Sequence, residues 1–312
     1  MHVVKEANTS SRIEGTRTEM DDIVVDEEYV AEEKRNDWRE VRNYIAAMHQ
    51  AIEELQTLPL SNRLLRDTHA RLLAGVRGER KTPGEFRRSQ NWIGGTSLSD
   101  AAFIPPHQGE LPELLSDLEK FWHNEAVNVP HLIRIAISHY QFETIHPFLD
   151  GNGRIGRLLI TLYLLNKNLI SKPALYLSSH FALHKGQYYN ALTVVRDSND
   201  MGHWVRFFLV AVRDTAKKGV ATLQNIMQLR EDVNLRIQRL GLRMHNGARL
   251  LEEAYSRPIL TVPTISGLLH VTQATANNLV TKFVELGILH EVTGFKRNRQ
   301  FIFRDYYNLF ID

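Results

Sequence analysis

Two apolar helices joined by a short glycine-containing loop constrain this chain more than any other feature. His131 to Ile145 is apolar on nearly every side, with Leu132, Ile133, Ile135, Ala136, Ile137, Tyr140 and Phe142 spread around the helix. Such a helix has no polar face for water and belongs at the centre of a bundle. Pro147 ends it, because proline disfavours helical geometry at the residue before it. A second apolar helix begins near Arg154 and runs to about Asn166. Most of the remaining chain also has helical period. Trp38 to Leu55 sets Val41, Tyr44, Ile45, Met48, Ile52 and Leu55 on one face, the pattern of an amphipathic helix. Leu64 to Leu73 reads the same way, and helices are expected at about 186–196, 201–217 and 219–240. Between Lys81 and Pro106 the period breaks. Pro83, Gly84, Gly94, Gly95, Pro105 and Pro106 surround a short strand-like Gln90–Ile93, which reads as a hairpin-like loop.

Composition narrows the function classes. At 312 residues the chain exceeds one typical core and implies two or three domains. A net charge of +2 is too small for the whole chain to coat nucleic acid. The absence of cysteine excludes disulfides, thiolate zinc sites and a cysteine nucleophile, and fits a reducing compartment. The longest apolar runs, such as Leu158 to Leu165, fall well short of the roughly 20 residues of a membrane helix. Met1 to Lys5 has no signal-peptide pattern, so a cytoplasmic protein without a membrane partner is expected.

The loop between the two apolar helices, His146-Pro147-Phe148-Leu149-Asp150-Gly151-Asn152-Gly153-Arg154-Ile155-Gly156-Arg157, carries the chemistry. It leads into a helix N-terminus, whose unpaired backbone N–H groups bind anions, phosphate above all. Arg154 and Arg157 share a helix face, and cations in a first turn oppose the helix dipole. Two of them there suggest that a polyanion offsets the cost. One carboxylate, Asp150, together with phosphate oxygens is a usual way to hold magnesium. His146, at the other end of the loop, titrates near neutrality and can take a proton from a hydroxyl. Phe148 is expected as a buried anchor. Each of these residues alone fits a plain helix–helix turn; all of them within twelve residues point to a phosphate site.

This segment matches the Fic-domain signature, His-Pro-Phe-x-Asp/Glu-Gly-Asn-Gly-Arg-x-x-Arg, at every specified position, and the resemblance extends over about residues 35–215. It implies a mainly α fold: a Fic helical bundle with a β-hairpin flap, followed by a winged-helix (helix-turn-helix) domain. The expected boundaries are 1–34 for an N-terminal segment, 35–217 for the catalytic domain, 218–246 for a helical linker and 247–312 for the winged helix. In that family the histidine deprotonates a Ser, Thr or Tyr hydroxyl of a target protein, which attacks the α-phosphate of ATP. By resemblance His146 is the base and Asp150 holds Mg2+. Gly151, Asn152, Gly153 and Arg154 cradle the phosphates, Ile155 and Gly156 continue the nucleotide segment, and Arg157 binds the γ-phosphate. Asn91, Trp92, Ile93 and Gly94 at the nucleotide site resemble the family's flap, which aligns a target segment by strand addition. Tyr188 and Tyr189 resemble the aromatic pair near the nucleotide base; on spacing alone they fit the core equally well. Doc, a relative with a degenerate loop, transfers the γ-phosphate instead, and the intact loop here favours AMP transfer. Phosphocholine and uridylyl transfer occur on the same scaffold and stay open, as does a transcription regulator whose domain senses nucleotide.

Glu6 to Thr16 reads locally as a short helix ending at Gly15. Ser10-x-x-x-Glu14-Gly15 resembles the inhibitory motif of autoinhibited Fic proteins, which implies that Glu14 pairs with Arg157 and blocks the γ-phosphate site. Little sequence precedes this helix, so the natural N-terminus is expected to be short or missing. At the other end, Arg239 to Gly247 looks like a hinge. Thr264 to Leu269 and Gln273 to Leu286 read as helix-turn-helix, followed by a β pair at Ile288–Val292 and Arg299–Phe303. Thr275, Asn277, Asn278 and Lys282 on the second helix, with Lys296, Arg297 and Arg299 on the β pair, could meet DNA; a protein contact fits as well, and a homodimer is also open. His180 and His184 have metal-pair spacing, but the sequence offers them no third ligand.

Overall fold

The computed structural model describes residues 1–294 and 299–311, apart from the side chains of Leu242 and Arg243. In chain order its helices are α1 (His2–Ile13), α2 (Met20–Val24), α3 (Arg35–Glu54), α4 (Asn62–Leu72), α5 (Leu111–His123), α6 (His131–Ile145), α7 (Asn152–Asn166), α8 (Ser178–Leu183), α9 (Lys185–Ser198), α10 (Met201–Ile237), α11 (Met244–Ser256), α12 (Val262–Leu269), α13 (Gln273–Glu285) and α14 (Arg304–Asn308). The strands are β1 (Ile259–Thr261), β2 (His290–Glu291) and β3 (Gln300–Ile302). The chain divides into two units. The larger comprises Glu6–Glu19 and Val30–Ala216; the smaller comprises Met1–Lys5, Met20–Tyr29 and Lys217–Asp312.

In the larger unit α6 and α7 pack against each other, and α3 packs against α4. Ile135, Ala136, Phe142, Leu159, Leu162 and Tyr163 are wholly buried, as the all-round apolar pattern requires. Each buried Leu, Ile or Phe contributes about 1.5–3 kcal/mol of transfer free energy. Trp204, also wholly buried, donates its indole N–H to the Ala136 carbonyl at 2.8 Å, so its one polar atom is satisfied. Ser61 caps α4 by accepting the Leu64 N–H. Several helices escape the sequence reading, among them α2, α5, α8 and α14; of these α5 buries Leu111, Leu115, Leu118 and Trp122, a regular helical stripe, and starts with Pro112 in its first turn.

Expectations change at several points. The helices expected at 201–217 and 219–240 are one continuous α10. A single interior glycine, Gly219, costs about 1 kcal/mol, and the helix runs through it. The strand-like Gln90–Ile93 reduces to one antiparallel bridge between Ile93 and Phe103, closed by N–H···O bonds of 2.9 and 3.1 Å. Arg196 of α9 stacks over the Phe103 ring at 3.9 Å and pins the base of this flap.

The smaller unit has its own core, built from Leu250, Leu251, Ile265, Leu279, Val280, Phe283, Phe301 and Phe303 among others. The sheet order is β1-β3-β2, antiparallel throughout, with Leu260 opposite Phe301 and Glu291 opposite Phe301 on the other side. The expected β pair is shorter than its apolar run, because Ile288 and Leu289 are fully buried core residues ahead of β2. β1 is an additional strand. The hinge narrows to Gly241, which breaks the helix at φ 56°, ψ −122°. Thr272 caps α13 through the Thr275 N–H. That helix buries Ala276, Leu279, Val280 and Phe283, while Thr275, Asn277 and Asn278 are exposed. Lys282 pairs with Glu285 and Arg299 with Glu291; Lys296 and Arg297 lie outside the described residues. Among the described residues no helix is long and apolar enough to cross a membrane.

Candidate active site

His146 leaves α6 in the left-handed region, at φ 50° and ψ 59°, a conformation that costs a non-glycine residue of order 1–3 kcal/mol. Groups outside the loop hold it there. Arg87 donates Nε to the His146 carbonyl at 3.0 Å and Nη2 to the Ile145 and Pro106 carbonyls at 3.3 and 2.6 Å. Asn91 donates Nδ2 to the His146 and Phe148 carbonyls at 3.2 and 3.0 Å. The Asn152 amide closes the turn, accepting from Phe148 N–H and donating to Phe148 C=O, both at 2.8 Å. Phe148 is wholly buried beneath them, as expected.

The histidine's proton can be placed from its partner. Nδ1 lies 3.3 Å from the Glu143 carbonyl, which can only accept, so Nδ1 carries the hydrogen and Nε2 keeps a free lone pair. Burial lowers its pKa to about 4, against the opposing pull of the Glu143 carbonyl and the Glu14 charge. At pH 7 it is a neutral imidazole, the form a general base requires.

The anion site at the start of α7 is filled by the chain itself. Gly151, at φ 79°, is the N-cap. A Cβ on Gly153 would stand 2.2 Å from Glu14 Oε1 and 2.9 Å from Arg157 Nη1, so glycine is required for that close approach. Glu14 Oε1 accepts from Arg157 Nη2 at 2.7 Å. Ser10 completes the grip: its hydroxyl accepts from Arg157 Nε at 2.8 Å and its carbonyl from Nη2 at 2.9 Å. The Glu14 carboxylate thus stands in the first turn of α7, where the helix dipole and open N–H groups favour an anion. Burial acts to raise the Glu14 pKa, but the Arg157 guanidinium outweighs it and holds the carboxyl below its usual range. Two contacts seat α1. Lys185 Nζ donates to the Ile13 carbonyl at 2.8 Å, at the negative end of α1. Glu6, buried, accepts from the Ser178 and Tyr44 hydroxyls, and burial raises its pKa.

Arg154 and Arg157 do not share a first turn: α7 starts at Asn152, so Arg157 lies a turn further along. Both are buried. Arg154 pairs with Glu40 at 3.2 Å and approaches Asp150 Oδ1 at 3.5 Å. Glu40 in turn holds Arg77 at 3.1 Å. An internal carboxylate therefore offsets Arg154's position against the dipole. The Asp150 carboxylate, 38 % exposed, accepts the Gly151 N–H besides this approach from Arg154. One part-exposed carboxylate beside the open N–H groups of a helix start fits magnesium, a hard ion that takes one or two carboxylates plus phosphate oxygens and water.

Several residues grouped with the nucleotide by position have other roles in this geometry. Ile155 is a core residue, 1 % exposed. Gly156 makes room for Glu143, whose Oε1 would lie 2.2 Å from any Cβ there. The Asn91 and Asn152 amides brace the loop. Tyr188 is wholly buried and donates its hydroxyl to His139 Nε2 at 2.9 Å. The His139 Nδ1–H donates to the Gly156 carbonyl at 2.9 Å, so this chain of bonds ties α6, α7 and α9 together. Tyr189 is 42 % exposed, with Lys185 Nζ 5.9 Å over its ring; Trp92 is 40 % exposed, and Gly94 follows Trp92 and Ile93 at positive φ.

Sequence reading missed Glu40, Arg87 and Glu143. Glu40 had a signal: it is a charge on the buried face of α3, in line with Tyr44, Ala47 and Ala51. Glu143 is similarly an acid inside an otherwise apolar helix; burial pushes it up to about 7, with Arg157 opposing. Arg87 sits in the irregular segment, and nothing in its neighbours marks it.

The Fic/DOC family model matches residues 59–164 and the model of that family's N-terminal part matches residues 1–53, together just over half of the chain. The protein adenylyltransferase Fic of Culex quinquefasciatus is 35% identical over 144 residues, 46% of this chain and 26% of that protein. Its Drosophila grimshawi counterpart is 31% identical over 154 residues, 49% of this chain and 29% of that protein. The chain therefore aligns with less than a third of the length of these curated relatives. A Fic family protein from Desulfovibrio desulfuricans shares the fold at a TM-score of 0.62 and 23% identity, covering 97% of this chain and 86% of that one. On the two family models and the intact signature loop, this chain belongs to the Fic/DOC family.

Proposed function

We propose that the chain transfers the adenylyl group of ATP to a Ser, Thr or Tyr hydroxyl of a target protein and that Glu14 holds it inactive. The observation that carries this reading is a neutral, proton-accepting His146 beside a phosphate-shaped cradle already filled by the chain's own carboxylate. In the transfer, His146 Nε2 takes the hydroxyl proton, the hydroxyl oxygen bonds to the α-phosphorus, and the bond from that phosphorus to the β-phosphate bridge breaks, releasing pyrophosphate. The first-turn N–H groups of α7 and Arg157 hold the phosphates, and Asp150 is the residue that would hold magnesium. Bound there, magnesium would neutralise phosphate charge. The flap closed by the Ile93–Phe103 bridge offers backbone groups beside the site for a target segment. For the smaller unit, the order β1-α12-α13-β2-β3 supports a winged helix. Lys282 and Arg299 pair with Glu285 and Glu291, and both a protein partner and DNA stay open for this unit.

The deciding experiment is incubation with magnesium and ATP labelled on either the α- or the γ-phosphate. Label from the α-position on protein is expected. Label from the γ-position would reassign the chain to phosphate transfer, and no label from either would sink the reading.

The pH dependence follows from the His146 environment. A base lowered to about 4 is fully deprotonated through neutrality, so the rate is flat on that limb and falls only as pH approaches 4. The profile is best taken with Glu143→Gln, which removes the carboxyl that titrates near 7. An acid limb near the ordinary histidine value of about 6.5 would show that His146 is solvated or is not the base.

A further inference from the structure

His69 on α4 is wholly buried, yet it lies outside the signature and outside every role described so far. Its ring stacks flat on Phe148, with centroids 3.8 Å apart and planes 10° from parallel. The Gly84 backbone N–H donates to Nδ1 at 2.9 Å, so Nδ1 has no hydrogen and the proton sits on Nε2. Nε2 lies 3.0 Å from the Asp150 carbonyl and donates to it. The tautomer is thus fixed by geometry, and both ring nitrogens are used.

This places one side chain between two segments that must keep register. Gly84 opens the stretch that leads to the flap. Asp150 C=O is the last carbonyl before Gly151, the residue that turns the chain into α7. The rotation of the peptide joining Asp150 and Gly151 sets where the Asp150 carboxylate points and where the first N–H groups of α7 aim. The carboxylate end of Asp150 is already steadied by Arg154, itself held by Glu40. The Asp150 carbonyl end is steadied by His69.

We infer that His69 is a positioning residue for the transfer: as the Nε2–H tautomer it fixes the Asp150–Gly151 peptide, and so the aim of the phosphate cradle, while registering it against the flap segment. Its consequence for rate rests on the transfer reading above; its effect on the loop does not.

The test compares His69→Leu with His69→Gln in the full chain carrying Glu14→Gly. Leucine fills the space with no polar atom. Glutamine can accept from Gly84 N–H and donate to Asp150 C=O, but it cannot stack like imidazole. Both variants lose the ring on Phe148, so a packing role would affect the two alike. Amide hydrogen exchange of residues 149–153 is read by mass spectrometry, thermal unfolding is recorded for each, and turnover is measured with α-labelled ATP and magnesium. His69→Leu is expected to speed exchange in that loop and lower turnover about 10–100-fold, the usual scale for groups that orient a ligand-bearing residue. His69→Gln is expected to recover most of both. Exchange in the loop unchanged by leucine, or glutamine no better than leucine, would overturn the inference. If the Glu14→Gly parent transfers nothing, the proposed function fails, and the exchange comparison still decides the role of His69.

Discussion

Glu14→Gly raises adenylyl transfer by about 10²-fold. The Glu14 carboxylate occupies the first turn of α7 and takes one arm of Arg157 at 2.7 Å. On the function proposed above, it fills the place for the terminal phosphate and cancels the charge that would bind it. ATP can enter only with its phosphates displaced, which moves the α-phosphorus out of line with the incoming hydroxyl. In-line positioning supplies most of the catalysis in phosphoryl transfer, and a displacement near 1 Å can cost about 10²-fold. Removing the carboxylate restores that factor. The fold is expected to survive, because Ser10 still accepts two hydrogen bonds from Arg157 and Glu14 lies beyond the end of α1. Arg157→Ala does not reproduce the gain, since it removes the phosphate ligand along with the brake. The measurement is protein-bound label from α-labelled ATP, wild type against variant; equal labelling would show that this glutamate is no brake.

His146→Ala in the Glu14→Gly background lowers transfer by about 10²–10⁴-fold, the contribution of a positioned general base. Nucleotide affinity is expected to change little, because on the proposed function the ring acts on the acceptor hydroxyl and the phosphates are held at the start of α7. The left-handed backbone at this position is held by Arg87 and Asn91 through the His146 carbonyl, which alanine retains. Turnover and ATP affinity are measured on the same preparation. Turnover equal to the parent would remove His146 as the base. Loss of ATP binding in step with turnover would show that the ring holds the nucleotide.

The period of apolar residues made α3, α4, α6 and α7 legible, because a helix that must bury a face, or all of itself, writes that need into its spacing. The same logic located the Phe148 anchor and the start of the phosphate loop. The period also missed α5, although Leu111, Leu115, Leu118 and Trp122 carry it. It divided α10 at Lys217–Gly219, where neither two lysines nor one glycine outweighs helix continuation. The flap was legible only as a break in pattern; its single bridge depends on Phe103, ten residues from Ile93.

For the site, local sequence determined which groups were at hand: a histidine before a proline, a glycine loop at a helix start, two arginines, and a carboxylate. Resemblance alone connected Glu14 to Arg157, because 143 residues separate them and no local pattern ties them. Tertiary structure decided what each group touches. It gave Arg154 to Glu40, buried Tyr188 against His139 while leaving Tyr189 exposed, and turned the Asn91 and Asn152 amides to bracing the loop. It also lowered the His146 pKa by burial and fixed its proton through the Glu143 carbonyl. The physical reason is range. Helical period and turn chemistry act over a few residues and are readable in order along the chain. Hydrogen-bond partners, charge pairs and desolvation are set by neighbours in space, and those exist only once the chain has folded.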